Sequence, residues 1–213
     1  ETPIAFNTHL LFEHFNQIPE SIIYKIFKNE NFLEVRQALA MSFSKVEPEF
    51  KTYFESFLQD KSYLTQEYAL FKLWEAFPEN RMEYLNKFED VVGLPNKNVR
   101  LLWLALALVT PEYNPAQKQQ YLDELVHYTD SSFNPEVRQG AFQYLFQING
   151  LTDTAFKNLI VATDHHSWQF RSYVRNLLDE ILKDAELKNR LVAVAQKLKD
   201  ADLRYLKTKI ELP

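Results

Sequence analysis

The chain has 213 residues, 46% of them hydrophobic, 15% aromatic and 25% charged, and this composition excludes a disordered chain. Its 24 basic and 29 acidic residues leave a net charge of −5, so there is no general cationic field and nucleic acid is not expected as a partner. Because cysteine is absent, disulfides, thiolate metal sites and cysteine nucleophiles are excluded, whereas a cytoplasmic and a periplasmic location both stay open.

The N-terminal segment has no secretory pattern. Residues 1–6 contain neither a basic stretch nor a long apolar run and lack an initiating methionine, so we expect a piece of a longer protein. The longest apolar run, residues 101–109, is far shorter than the about 20 residues that a membrane span requires. We predict a soluble chain with one helical repeat domain over 1–213, in which residues 1–19 form either a linker or a first helix that belongs to a preceding domain.

Apolar residues recur at spacings of three, four or seven along almost the whole chain, and this period predicts amphipathic helices. The predicted apolar faces, in chain order, are Phe32, Val35, Leu39 and Phe43; Phe50, Phe54, Phe57 and Leu58; Leu64, Tyr68, Phe71 and Trp74; Met82, Leu85 and Phe88; residues 99–109; Leu122, Leu125 and Val126; and Val137, Ala141, Tyr144, Leu145 and Ile148. Four more helices are predicted over 156–160, 170–182, 187–198 and, with a weaker pattern, 203–210. Since the run at 101–109 is apolar on all sides, we expect its helix at the centre of the fold.

Helix-start signals separate these stretches. Asn114-Pro115 and Asn134-Pro135 each place a side-chain acceptor at the cap position and a proline at the first helical position. Thr152-Asp153 and Glu47-Pro48 are weaker signals of the same kind. The short connections favour antiparallel neighbours.

Equivalent positions near the starts of five predicted helices indicate a repeat. They are marked by the pairs Val35-Arg36, Gln66-Glu67, Val99-Arg100, Val137-Arg138 and Phe170-Arg171. The second residues of these pairs lie 31, 33, 38 and 33 positions apart, a drifting period that is typical of two-helix repeats. We predict an all-α fold, an α-α superhelix of the HEAT/ARM-like solenoid type with about five antiparallel helix pairs.

Two groups of histidines are candidate metal ligands. His9 and His14 flank Glu13, but the zinc motif H-x-x-E-H is one residue shorter, and at a separation of five the rings point about 140° apart on a helix. His165 and His166 are adjacent, a spacing that rarely serves one metal ion. We expect one ring of this pair to cap a helix or to pair with a nearby tryptophan, and the other to face solvent.

We find no motif for a serine nucleophile, a phosphate-binding loop or a zinc peptidase. Acidic pairs stand on the polar sides of helices, where a solvated face explains them better than acid–base catalysis does: Glu89-Asp90, Asp123-Glu124 and Asp179-Glu180. We therefore predict no catalytic, cofactor-binding or metal-binding residue in this chain.

The repeated arginines and the tyrosines each admit a functional and a structural interpretation. The arginines are either a ladder for acidic peptides or, as we favour, structural groups whose stems lie along the neighbouring repeat and whose guanidiniums bind its carboxylates or carbonyls. An interface and a thick aromatic core explain the tyrosines equally well. The tyrosines concerned are Tyr53, Tyr63, Tyr84, Tyr113, Tyr121, Tyr128 and Tyr205.

Four stretches carry a likeness that spans residues 20–210: 32–41 (FLEVRQALAM), 98–113 (NVRLLWLALALVTPEY), 136–142 (EVRQGAF) and 165–171 (HHSWQFR). They resemble the C-terminal helical region of bacterial zinc metallopeptidases of the aminopeptidase N family. In that family the H-E-x-x-H helix, the downstream glutamate ligand and the G-A-M-E-N substrate loop lie in the preceding catalytic domain. The resemblance therefore implies that the zinc belongs to that domain and that this chain holds no cofactor.

The resemblance implies a non-catalytic domain of an enzyme. Such a helical region packs on the catalytic domain of the same polypeptide and limits the access of peptides to the active-site chamber, in some members touching the substrate. The alternative is an independent HEAT-like scaffold that binds a protein or peptide on its concave face. A self-contained hydrolase is a third, less favoured possibility.

Overall fold

The computed structural model of the protein describes residues 37, 40, 41, 43 and 45–211. The regular secondary structure of these residues is helical throughout, without a β-strand, which confirms the all-α prediction. The α-helices within 45–211 are α1 (Lys51–Phe57), α2 (Tyr63–Ala76), α3 (Arg81–Phe88), α4 (Asn98–Val109), α5 (Pro115–His127), α6 (Pro135–Gln147), α7 (Asp153–Ala162), α8 (Trp168–Ile181), α9 (Ala185–Ala195) and α10 (Arg204–Lys207). Short 3₁₀ turns at Pro48–Phe50, Pro78–Asn80 and Asp200–Leu203 precede α1, α3 and α10.

The chain divides into two compact units, Glu1–Gly93 and Leu94–Pro213. Helices α1 to α3 belong to the first unit and α4 to α10 to the second. The single repeat domain over 1–213 stays a prediction, and the helix predicted around Phe32 to Phe43 lies largely outside the described residues. Among the helices that are described, none combines the length and the apolar character needed to cross a membrane.

The predicted helix starts have the expected cap chemistry. At α5 the Asn114 side chain accepts the Gln117 backbone N–H at 3.0 Å, and the Gln117 side chain accepts the Asn114 N–H at 3.1 Å, which completes a capping box. The side chains of Asn134 and Thr152 each accept the N–H three residues on, at 2.9 and 3.3 Å. These three starts confirm the predictions. Pro48 begins a 3₁₀ turn without a side-chain cap.

In the first unit, α2 packs against both α1 and α3. Its buried face is not the one that the aromatic spacing predicts, since Leu64 and Phe71 are 40% and 38% exposed. The residues buried in their place are Thr65, Ala69, Leu70 and Leu73. Small side chains such as Ala69 let neighbouring helices approach, whereas a row of bulky rings keeps them apart. The predicted face of α2 was therefore wrong.

Helix α4 lies in the core of the second unit. Every residue from Leu101 to Ala107 is buried, as the all-round apolar pattern predicts, and exposure rises only towards the two ends of the helix. Helix α4 packs against both α5 and α6. The approach to α6 is close, because a Cβ added to Gly140 would lie 2.9 Å from Leu101 Cδ1. Gly140 thus permits the contact between the two helices.

Contacts in the second unit also join helices that are two apart in the chain. Helix α4 contacts α6, α6 contacts α8, and α7 contacts α9. Helix α7 contacts the 3₁₀ turn at Asp200–Leu203 as well. Helices α4, α6 and α8 are therefore joined in a row, in addition to the contacts that α4 and α6 each make with α5.

Candidate functional site

The polar side chains at the starts of the helices form the most distinctive group in the structure. Gln66 Nε2 donates to Asp60 O at 2.7 Å, Arg138 Nε to Thr129 O at 3.0 Å, and Arg171 Nη1 to His165 O at 2.8 Å. Each acceptor is a carbonyl in the connection that leads into the helix of the donor. Arg138 and Arg171 occupy predicted repeat positions, whereas Gln66 lies one residue before the predicted position, Glu67. The predicted position Arg36 lies outside the described residues.

The remaining repeat position, Arg100, forms an ion pair. Its Nε and Nη2 atoms donate to the two carboxylate oxygens of Glu124 at 2.7 and 2.6 Å, and its guanidinium lies 4.7 Å from the Trp103 ring centroid. Burial alone would lower the pKa of Arg100, but the hydrogen bonds and the charge of Glu124 outweigh it and raise that pKa. Arg100, Arg138 and Arg171 therefore bind carboxylates or carbonyls, as the structural interpretation predicts. The acceptors of Arg138 and Arg171 lie in the connections to their own helices, however, and not on a neighbouring repeat as predicted.

Arg138 is the most buried of these arginines, with 3% exposure. Its guanidinium lies 4.9 Å from the ring centroid of Phe170 in α8. Burial lowers the pKa of Arg138. The hydroxyl of Thr129, whose carbonyl accepts from Arg138, itself accepts a hydrogen bond from Asn158 Nδ2 at 2.8 Å. This bond ties α7 to the connection between α5 and α6. Arg138 thus joins α6 to α8 and to the end of α5.

The connection between α7 and α8, residues 163–167, is bound by two further arginines that the repeat pattern does not predict. Arg175 Nε donates to Thr163 O at 2.9 Å, and its Nη2 lies 3.4 Å from Asp164 Oδ1. Arg204 Nη2 lies 2.9 Å from Asp164 Oδ2. Arg175 lies four residues after Arg171 and therefore on the same face of α8. This spacing is the sequence signal that could have predicted its contact with the connection.

His165 and His166 are in ring contact in this connection, with centroids 4.1 Å apart and planes tilted by 31°. His165 Nδ1 accepts the Ser167 backbone N–H at 3.1 Å, and the ring meets Phe170 edge to face at 5.0 Å. A ring nitrogen that accepts an N–H has no lone pair to offer a metal ion, so the His165 Nδ1 atom does not fit a zinc ligand. His165 rather than Ser167 supplies the side-chain contact here, since the Ser167 hydroxyl makes no cap hydrogen bond.

The other predicted metal candidates, His9, Glu13 and His14, lie outside the described residues. Within the described residues there is no cluster of three or more histidine, aspartate or glutamate side chains that could hold a metal ion.

Of the acidic pairs, Glu124 and Asp179 have defined structural partners. Glu124 binds Arg100 and also accepts the Tyr128 hydroxyl at 3.0 Å, while Asp179 accepts the Tyr205 hydroxyl at 3.1 Å and binds Lys209 at 2.8 Å. Burial and Glu124 together raise the pKa of Tyr128 to about 12. These contacts support a structural role for both carboxylates.

Burial separates the two interpretations of the tyrosines. Tyr84, Tyr113 and Tyr128 are buried, and of the seven candidates only Tyr63 is exposed. The rings of Tyr113 and Tyr121 meet Trp103 at 6.2 and 5.0 Å and each other at 5.3 Å, all close to edge to face. Three of the seven tyrosines therefore belong to the core, three are half-buried and one is exposed, which favours the aromatic core as the explanation.

No model of a protein family, no curated protein and no solved structure matches the chain.

Proposed function

We propose that the protein is the non-catalytic C-terminal helical region of a zinc aminopeptidase, which packs on the catalytic domain of the same polypeptide and limits the access of peptides to the active-site chamber. In this proposal the zinc and the reacting groups belong to the preceding domain. No step of the hydrolysis is assigned to a residue of this chain. The contribution of the chain is steric, through the surface that its helices present.

The observation that carries the proposal is the mutual packing of three stretches in which the family resemblance is found. Stretch 98–113 contains α4, stretch 136–142 lies in α6, and stretch 165–171 leads into α8. Gly140 approaches Leu101 of the first stretch, and Arg138 lies over Phe170 of the third. The stretches that carry the resemblance therefore contain side chains that hold successive helices together, as a scaffold role requires. The fourth stretch, 32–41, lies mostly outside the described residues.

The proposal includes the stacking of antiparallel helix pairs into a superhelix. Its support is the row α4–α6–α8 together with the contact of α7 with α9, because repeat proteins place each unit against its sequence neighbours. The donors at positions 66, 138 and 171 add a repeated hydrogen bond from the start of a helix to the preceding connection.

The first test is the coding sequence upstream of Glu1. We expect it to encode H-E-x-x-H and a downstream glutamate ligand. A complete upstream sequence without this motif would contradict the proposal and favour an independent scaffold.

The second test is enzymatic. The full polypeptide should hydrolyse aminoacyl-arylamides in the presence of zinc, and its variant with glutamine for the glutamate of H-E-x-x-H should not. The purified 213-residue chain should be inactive in the same assay. Turnover by the purified chain, at a rate above that of a mock preparation, would instead support the self-contained hydrolase.

A further inference from the structure

We propose that the connection between α7 and α8 is a pH-sensitive segment, in which protonation of His165 at Nδ1 breaks the hydrogen bond from the Ser167 amide and loosens the first turn of α8. This inference concerns the chain itself and does not depend on the aminopeptidase assignment. It rests on the hydrogen bond at Nδ1 and on the charges that surround the ring.

The hydrogen bond fixes the neutral form of the ring. Because the Ser167 N–H points to His165 Nδ1 at 3.1 Å, that nitrogen acts as an acceptor and the ring proton resides on Nε2. A proton on Nδ1 would face the N–H and remove the bond. The Ser167 hydroxyl does not cap α8, so the first turn of α8 has no N-cap side-chain hydrogen bond to hold it once the His165 contact is lost.

The groups around the ring oppose a second positive charge. His166 stacks on it, Arg171 of α8 donates to its own carbonyl, and Arg138 of α6 lies across the shared neighbour Phe170. The amino end of α8 adds the positive end of a helix dipole. Asp164 is the acidic residue of the connection.

The Asp164 carboxylate is already paired. It lies 3.4 Å from Arg175 of α8 and 2.9 Å from Arg204 of α10. Both guanidiniums lower the negative charge that Asp164 presents to the neighbouring imidazole. A protonated His165 would therefore stand among cations without a dedicated carboxylate.

The direction of the pH effect follows from these contacts. Burial, then the charges of His166, Arg138 and Arg171, lower the pKa of His165 in the folded chain. The unfolded chain, with a histidine pKa of about 6.5, then binds the proton more readily. The contribution of His165 to folding stability is therefore complete above about pH 6.5 and is lost as the pH falls through the pKa that His165 has in the folded chain.

The deciding variant is His165→Asn. Asparagine Oδ1 occupies the place of Nδ1 and accepts the N–H two residues on, as in an Asx turn, but it does not titrate. The matched control is His166→Asn, which removes the neighbouring ring and leaves the His165 hydrogen bond. Circular dichroism at about pH 7.5 verifies that both variants are folded.

The experiment follows the histidine rings by two-bond ¹H–¹⁵N correlation and the amides of the first turn of α8 by hydrogen exchange, corrected for intrinsic rates, between about pH 7.5 and pH 5. We expect wild type and His166→Asn to lose protection at Ser167 and in the first turn of α8 as the His165 signal titrates, and His165→Asn to keep it. The inference is overturned if the loss is the same in His165→Asn. It is also overturned if His165 carries protons on both nitrogens at about pH 7.5 in wild type, an outcome that needs no variant to fold.

Discussion

Replacing Gly140 by alanine tests how closely α6 approaches α4. The new Cβ would lie 2.9 Å from Leu101 Cδ1, whereas carbon atoms in favourable contact are about 3.5–4.0 Å apart. Leu101 is 2% exposed, so its methyl group has no solvent to move into. In an unhindered helix this exchange stabilises by about 1 kcal/mol. An extra methyl in a packed core costs about 1–3 kcal/mol. We expect the steric term to prevail, with a net loss of about 1 kcal/mol in the free energy of unfolding.

The matched control is the exposed position 139 of the same helix. The difference in stability between Gln139→Ala and Gln139→Gly measures the helix preference for alanine over glycine where no contact with Leu101 is involved. The alanine variant should be the more stable by about 1 kcal/mol. The reciprocal variant is Leu101→Val, which removes the contacting δ-methyl and on its own should lose about 1 kcal/mol. The double variant with Leu101→Val and Gly140→Ala should lose less unfolding free energy than the two single variants added together. The difference, which is the coupling between the two positions, should be about 0.5–3 kcal/mol.

Urea unfolding provides the measurement, with far-ultraviolet circular dichroism for helix content. Tryptophan emission, to which the buried Trp103 of α4 contributes together with Trp74 and Trp168, reports the loss of tertiary packing. Two results would refute the reasoning. One is stabilisation by Gly140→Ala as large as the alanine–glycine difference at position 139. The other is strict additivity in the double variant. Either would mean that the Leu101 side chain moves freely and that Gly140 is not needed for the contact.

Three further changes test the core, a cap and an ion pair. Trp103→Ala should destabilise by about 3–5 kcal/mol in urea unfolding, whereas Val109→Ala at the exposed end of α4 should stay within about 0.5 kcal/mol. Asn134→Ala removes the cap of α6 and should cost about 1 kcal/mol, measured against Gln139→Ala in the same helix. Burial would raise the pKa of Glu124, but the hydrogen bonds and charge of its guanidinium partner hold it below its usual range. The stability that Glu124 contributes is thus present above about pH 4.3 and is lost as the pH falls through the pKa of Glu124 in the folded chain. Glu124→Gln should therefore make the melting temperature fall less steeply as the pH is lowered. An unchanged slope would contradict this account.

Local signals in the sequence predict the helix starts well. The caps at Asn114, Asn134 and Thr152 depend on a side-chain acceptor and on the amide three residues on, so both partners lie within four consecutive residues of the sequence. The burial of α4 is equally direct, because an unbroken apolar run leaves the helix no face that prefers water.

The buried face of α2 could not be predicted in the same way. The helix carries apolar residues on two sides, and the larger rings lie on the side that is not buried. Choosing between the sides requires the positions of α1 and α3, which the sequence of α2 does not contain. The tyrosines present the same difficulty, since an amphipathic ring suits both an interface and a core and only its neighbours decide.

For the polar contacts, the sequence predicts the donors better than the acceptors. The period of the repeat identifies Arg100, Arg138 and Arg171, and their apolar neighbours predict a structural role. Their acceptors are a carboxylate in one case and backbone carbonyls in the others, and this difference follows from the shape of each connection. The sequence also predicts that one ring of the His165–His166 pair serves a helix start and that the other faces solvent, and His165 and the exposed His166 take these places. Which amide His165 accepts could not be predicted, because the turn that brings the Ser167 amide to Nδ1 has no sequence signature of its own.

The contacts of the repeat arginines also decide between the two interpretations of them. Arg138 is buried, so an acidic peptide could reach it only if the guanidinium moved out of its site. That movement would take Nε from Thr129 O and leave a buried carbonyl without a donor, a loss of about 1–3 kcal/mol. At Arg100 it would have to displace a bidentate carboxylate that already has the ideal geometry. A ligand gains little from cations that are already satisfied. The arginine period therefore describes how the helices are joined, and it does not by itself indicate an acidic partner.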